Sequence, residues 1–123
     1  MYKYLIFLFL FASFSCKKVD QVELEKNKNL LLENQWGLPQ VIFSESNGGS
    51  IFLNSPTEFE NDGTVLIGTN YEDYWEFIDE RTIRFLNAEI NWQIISITDT
   101  SLHVNMVKMN TSEFVMECQY VAL

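Results

Sequence analysis

From Gln35 onward the chain breaks into short runs rich in β-branched and aromatic residues, separated by turn residues at roughly eight-to-twelve-residue spacing, and that rhythm is the signature of a meandering all-β domain. Residues 36–43 are the first candidate strand, bent or held at an edge by Pro39, which has no N–H for a ladder. Ser46-Asn47-Gly48-Gly49-Ser50 reads as an exposed loop, and Ile51-Phe52-Leu53 as a β-rich run entering the turn Asn54-Ser55-Pro56. The strongest hairpin signal is Asn61-Asp62-Gly63 between runs at 58–60 and 64–67, because Gly63 tolerates the positive φ that a tight reversal requires. A second hairpin is expected at 74–78 and 82–86, joined at the polar corner Asp79-Glu80-Arg81, with Ile83 and Phe85 facing opposite to Thr82 and Arg84. Runs at 90–97, 102–109 and 113–121 complete the series, joined at Thr98-Asp99-Thr100-Ser101 and Asn110-Thr111-Ser112. Within 92–97 the alternation slips from Trp92 and Ile94 to Ile95 and Ile97, which predicts a bulge.

About eight sequential antiparallel strands, each with one apolar face, must hide that face and dispose of two open edges. Closing the sheet on itself does both. The expected fold is therefore all-β: a small antiparallel meander closing into an up-and-down barrel, with a sandwich of two sheets as the alternative that periodicity leaves open. A short helix is expected before the first strand, near residues 30–34. A longer helix over 19–34 has no continuous apolar stripe to support it.

The N-terminus carries a separate message. Met1-Tyr2-Lys3, an apolar run from Tyr4 to Phe11 and then Ala12-Ser13-Phe14-Ser15 form a positive n-region, an h-region and a small-residue cleavage site. The apolar stretch ends by Phe14, well short of the roughly 20 residues of a bilayer-spanning helix. Ser15 immediately before Cys16 resembles the lipobox of bacterial lipoproteins, in the looser form of the Bacteroidetes group with Ser13 where Leu is usual. That resemblance implies a signal peptide at 1–15 and acylation of Cys16, hence attachment to a membrane of the cell envelope, expected to be the outer membrane, on its periplasmic or surface face. It also accounts for the cysteines, since Cys118 is left without a partner and lies in phase with Phe114, Met116 and Tyr120 as a buried thiol would. Residues 16–29 read as a charged tether. The whole chain carries −9, yet beyond Leu30 only Arg81, Arg84 and Lys108 stand against fourteen acids, a balance of −11, so a basic arm precedes a strongly acidic domain. Such a field repels phosphate backbones and excludes nucleic acid as a partner.

Leu31-Leu32-Glu33-Asn34-Gln35-Trp36, Phe59-Glu60-Asn61-Asp62-Gly63-Thr64, Tyr74-Trp75-Glu76-Phe77 and the segment from Trp92-Gln93-Ile94 to Thr100-Ser101-Leu102 resemble, in that order, the lipocalin-like domains of Bacteroidetes lipoproteins. The resemblance covers about residues 31–121 and implies a lipocalin-like β-barrel domain over 30–123. Two positions depart from lipocalins proper: Asn34 stands where Gly precedes the first Trp, and residues 113–123 hold no basic residue to pack over it.

Signatures of catalysis are missing. The chain has no Gly-rich phosphate loop, no cysteine pair at zinc spacing and a single histidine, His103, in opposite phase to Leu102, Val104 and Met106. The expectation is a non-enzymatic protein with no catalytic residues, no metal and no cofactor. Glu72, Asp73, Glu76, Asp79 and Glu80 match no cation loop and are expected as a solvated rim. Trp36, Tyr74, Trp75, Phe77, Phe85 and Trp92 either line a pocket for a small apolar or amphipathic ligand or fill the barrel, and a shallow barrel leans toward filling. The alternative is an accessory module that docks on another envelope protein through an acidic, aromatic-bearing surface such as residues 68–74.

Overall fold

The computed structural model describes residues 18–45 and 50–123; the signal peptide expected at 1–15, Cys16 and the loop residues 46–49 lie outside the described residues. A helix, α1 (Gln21–Glu33), is followed by β1 (Gln35–Trp36), β2 (Gln40–Ser44), a single 3-10 turn (Ser50–Phe52), β3 (Thr57–Phe59), β4 (Thr64–Ile67), β5 (Tyr71–Asp79), β6 (Thr82–Phe85), β7 (Ile90–Ile97), β8 (Ser101–Lys108) and β9 (Phe114–Val121). Every strand pair is antiparallel and β3 to β9 follow one another in order, with β1 and β2 at the two ends of the sheet. This is the expected all-β meander with a short preceding helix, curled into a barrel-like sheet.

The first strand is split as Pro39 foretells. β1 pairs with β3 (Trp36 opposite Thr57), and β2 pairs with β9 (Val41 opposite Cys118), so one stretch of chain serves both ends of the sheet. Between them Trp36 bridges Ala122, the Gly37 N–H donates to the Val121 carbonyl at 2.8 Å and the Leu123 N–H donates to the Gln35 carbonyl at 2.9 Å. A Cβ on Gly37 would stand 3.2 Å from that Val121 oxygen, which explains glycine at the seam.

The Asp-Gly hairpin forms between β3 and β4 with Gly63 at φ +93°. The Asp62 carboxylate accepts from the Thr64 hydroxyl and N–H at 2.7 and 3.0 Å, contacts that hold its pKa below the usual value. The predicted slip in β7 is a register shift against β8 between Ile94 and Ser96; it turns Ile95 outward and brings Ile97 back against the core. The run 51–53 is not a strand. A single 3-10 turn inserts Phe52 into the core, where its ring meets Phe85 and Trp92.

The helix is longer than its apolar pattern suggests. Asp20 caps it by accepting from the Glu23 N–H at 3.1 Å, and polar contacts hold much of its length: Asn27, only 5% exposed, donates to the Glu80 carbonyl at 2.8 Å, and Glu23 pairs with Arg81 at 2.8 Å. Leu31 alone among its aliphatic residues is fully buried, beneath Trp36, whose Nε1 donates to the Leu31 carbonyl at 3.1 Å. Most of the expected tether is thus helix. Asn34 ends it in extended backbone and ties the end to the β7–β8 corner by donating to the Asp99 carbonyl. α1 therefore lies across the barrel end that carries the corners 60–63, 79–81 and 98–100; the corners 68–70, 86–89 and 109–113 form the opposite end. No helix among the described residues is long and apolar enough to cross a membrane.

Candidate functional site

Alternation along β5, β6 and β7 sends Trp75, Phe85 and Trp92 inward, and the register places Trp75 opposite Phe85 and Ile83 opposite Trp92. Together with Phe52, Phe59 and Tyr120 they make an aromatic column with ring centroids 4.8 to 5.8 Å apart, mostly edge-on or tilted, the arrangement that ring quadrupoles favour. Phe85 and Trp92 are fully buried, as is Trp36 in the same core cluster. Of the six candidate ligand residues, then, four are packed into the interior. Phe77, half-buried, extends the column toward the α1 end by an edge contact with Trp75. Tyr74 is separated from the other five and points outward, 51% exposed.

Trp75 and Phe77 border a cleft of about 270 Å³ between α1 and β5, with Leu24 and Lys28 on the helix side and Gly63 at the hairpin. The Trp75 indole is fixed there by donating to the Glu60 carbonyl at 3.0 Å. Phe52, Phe59 and Tyr120 were not among the expected aromatics. Phe59 and Tyr120 lie in phase with their strands and were readable from alternation; Phe52 owes its place to the 3-10 turn, which periodicity does not signal.

The acidic group does not act as one rim. Asp73 is fully buried and points inward at the β6–β7 corner, where its two oxygens accept from the N–H groups of Asn87 and Ala88 at 2.8 and 2.9 Å, with a third contact from the Tyr74 N–H. Burial, and then the Asp73 charge, raise the pKa of Tyr71. Asp79 and Glu80 belong to the corner beneath α1, where Asp79 accepts from the Arg81 N–H. Glu72 and Glu76 remain on the outer face. No three His, Cys, Asp or Glu side chains among the described residues converge as a cation site. His103 meets the Glu117 carboxylate across β8 and β9.

Tyr74 has company outside. Leu66 on β4 and Leu86 beyond β6 are 37% and 40% exposed, and register places all three on neighbouring strands: Leu66 pairs with Glu72, and the Leu86 N–H donates to the Tyr74 carbonyl at 3.0 Å. Glu58, Glu72 and Glu76 surround them, with Arg84 opposite Glu76. Cys118 lies buried on β9 with its thiol pushed up to about 11 by burial and by Glu117, so it is protonated and inert near neutral pH.

No family model, curated protein or solved structure matches the chain.

Proposed function

We propose that the protein is a non-enzymatic, lipid-anchored lipoprotein of a bacterial cell envelope whose lipocalin-like barrel serves as a docking module for another envelope protein. The observation that carries this reading is the outer face of β4 to β6, where Leu66, Tyr74 and Leu86 form an apolar strip bordered by Glu58, Glu72 and Glu76, with Arg84 opposite Glu76. An exposed aromatic flanked by aliphatics is the composition of an interface centre, and the acidic surround selects a partner with a basic rim. The anchor is the lipobox-like Ser15-Cys16, and the outer membrane is its expected site.

Carriage of a small ligand is the second reading, and the cleft at Trp75 and Phe77 favours it. The aromatic packing of Trp36, Phe85 and Trp92 weighs against a large interior site. Two measurements separate the readings. A photo-crosslinking residue at position 74 is expected to capture one envelope protein in living cells, whereas the same residue at position 119 on the far face is not; equal, diffuse capture at both refutes docking. Native mass spectrometry of the mature chain is expected to give the lipidated protein's own mass, and a reproducible adduct of lipid size beyond the covalent acyl chains would support carriage instead. The anchor is tested by Cys16→Ser, which is expected to abolish acyl labelling and release the protein from the membrane fraction.

A further inference from the structure

The docked helix shortens the leash. Residues 16–29, if all were free, would span about 45 Å at full extension, enough for the barrel to take any attitude above a membrane. Because α1 starts at Gln21 and is fastened through Asn27, Glu23 and Leu31, only the step from Cys16 to Asp20 separates the acylated residue from the helix, about 14 Å at most. β5 alone, nine residues long, measures about 30 Å, so the far corners lie beyond that reach.

The end held nearest to Cys16 also has the surface for it. Val22, on the first turn of α1, is 82% exposed, and Ile95, turned out by the β7 bulge, and Ile78, near the end of β5, are 41% and 37% exposed. Lys18, Lys26 and Arg81 stand among them together with Asp20, Glu23, Asp79 and Glu80; Asp20 caps the helix, Glu23 pairs with Arg81 and Asp79 accepts from the Arg81 N–H. Between Val22 and Ile95 a cleft of about 520 Å³ has Ile94 and Ile97 in its floor and Lys26 and Arg81 on its rim. Exposed aliphatics with cations beside them suit the boundary of a phospholipid bilayer.

We infer that the α1-capped end of the barrel is a membrane-apposed face, resting Val22, Ile78 and Ile95 on phospholipid headgroups and holding the corners 68–70, 86–89 and 109–113 away from the bilayer. The inference rests on the Cys16 anchor proposed above. It also places Leu86, at the distal end of the docking strip, away from the bilayer and open to a partner.

The test uses the full lipidated chain in vesicles of phosphatidylethanolamine and phosphatidylglycerol containing headgroup-quencher lipid. A polarity-sensitive dye is attached through Val22→Cys, Ile95→Cys or, at the far end, Asn110→Cys; buried Cys118 does not compete for the label. Quenching several-fold stronger at positions 22 and 95 than at 110 is expected, and a ten-residue Gly-Ser insertion between Lys18 and Val19 is expected to remove most of that difference. Equal quenching at all three sites on a chain that floats with the vesicles overturns the apposed face while leaving the anchor intact. A chain with Cys16 present that does not float with the vesicles overturns the anchor, and this inference falls with it.

Discussion

Asp73→Ala removes a carboxylate that organises a corner at some distance along the chain. Its two oxygens accept from Asn87 and Ala88, fourteen and fifteen residues away, and without them both N–H groups at the β6–β7 reversal lose their acceptors. A hydrogen bond to an ionised acceptor contributes roughly 1.5–3 kcal/mol, but the corner is partly exposed and water replaces some of what is lost, so the expected cost for the pair is about 2–4 kcal/mol. For a domain near 100 residues that lowers the melting temperature by about 10–25 °C. Asn at the same position keeps one acceptor oxygen and turns an amide toward the other N–H, for an expected loss of about half as much. Thermal unfolding followed by near-ultraviolet circular dichroism, with urea titration as a second probe, measures the series. An Ala variant within about 0.5 kcal/mol of the parent refutes the assignment of Asp73 as a structural cap, as does an Asn variant clearly worse than Ala.

Trp92→Phe should cost less than Trp36→Phe in the same melts, since the Trp92 Nε1 has no hydrogen-bond partner among the described residues while the Trp36 Nε1 donates to Leu31; the reverse order would refute it. Gly63→Ala is expected to destabilise by about 1 kcal/mol through its positive φ alone, because no neighbouring atom lies near enough to clash with the added carbon, and an unchanged urea midpoint would contradict this. Burial raises the folded pKa of Cys118 to about 11 from 9.0 and pushes that of Tyr120 well above 10.0, so both contribute stability that is fully present below pH 9 and is lost as pH rises toward 11; urea midpoints measured from pH 8 to 11 should fall across that window. In the native protein Cys118 should resist thiol reagents at pH 8 and react at once in denaturant, and fast native labelling would show that β9 opens readily.

What could be read from the sequence was the part written in period-two alternation and turn chemistry. The hairpin at Gly63, the break at Pro39 and the bulge near Ile95 each rest on a local rule, and each appears where that rule puts it. The extent of α1 was hidden because Asn27 and Glu23, rather than an apolar stripe, attach it to a corner more than fifty residues away. Asp73 misled for the same reason: an acid among acids reads as surface until the fold brings two distant N–H groups to it. Trp36, Trp75, Phe85 and Trp92 are legible as a group, and a shallow barrel leans toward filling; the packing that Phe52 adds is not legible, because only a non-strand turn delivers that residue.

The split first strand has a kinetic consequence. A β7–β8 hairpin closes with Ile97 facing Leu102 only five residues on, while the seam requires Val41 to find Cys118 across 77 positions. Loop-closure entropy makes the second search about 2–3 kcal/mol costlier than the first. The consecutive hairpins should therefore zip early and the β2–β9 seam should form last, leaving a curled ribbon with two raw edges as the late species on the folding route. That ribbon, rather than the finished barrel, is the form most exposed to strand exchange with its own copies, and seam mutations should raise aggregation during refolding more than they lower the equilibrium stability.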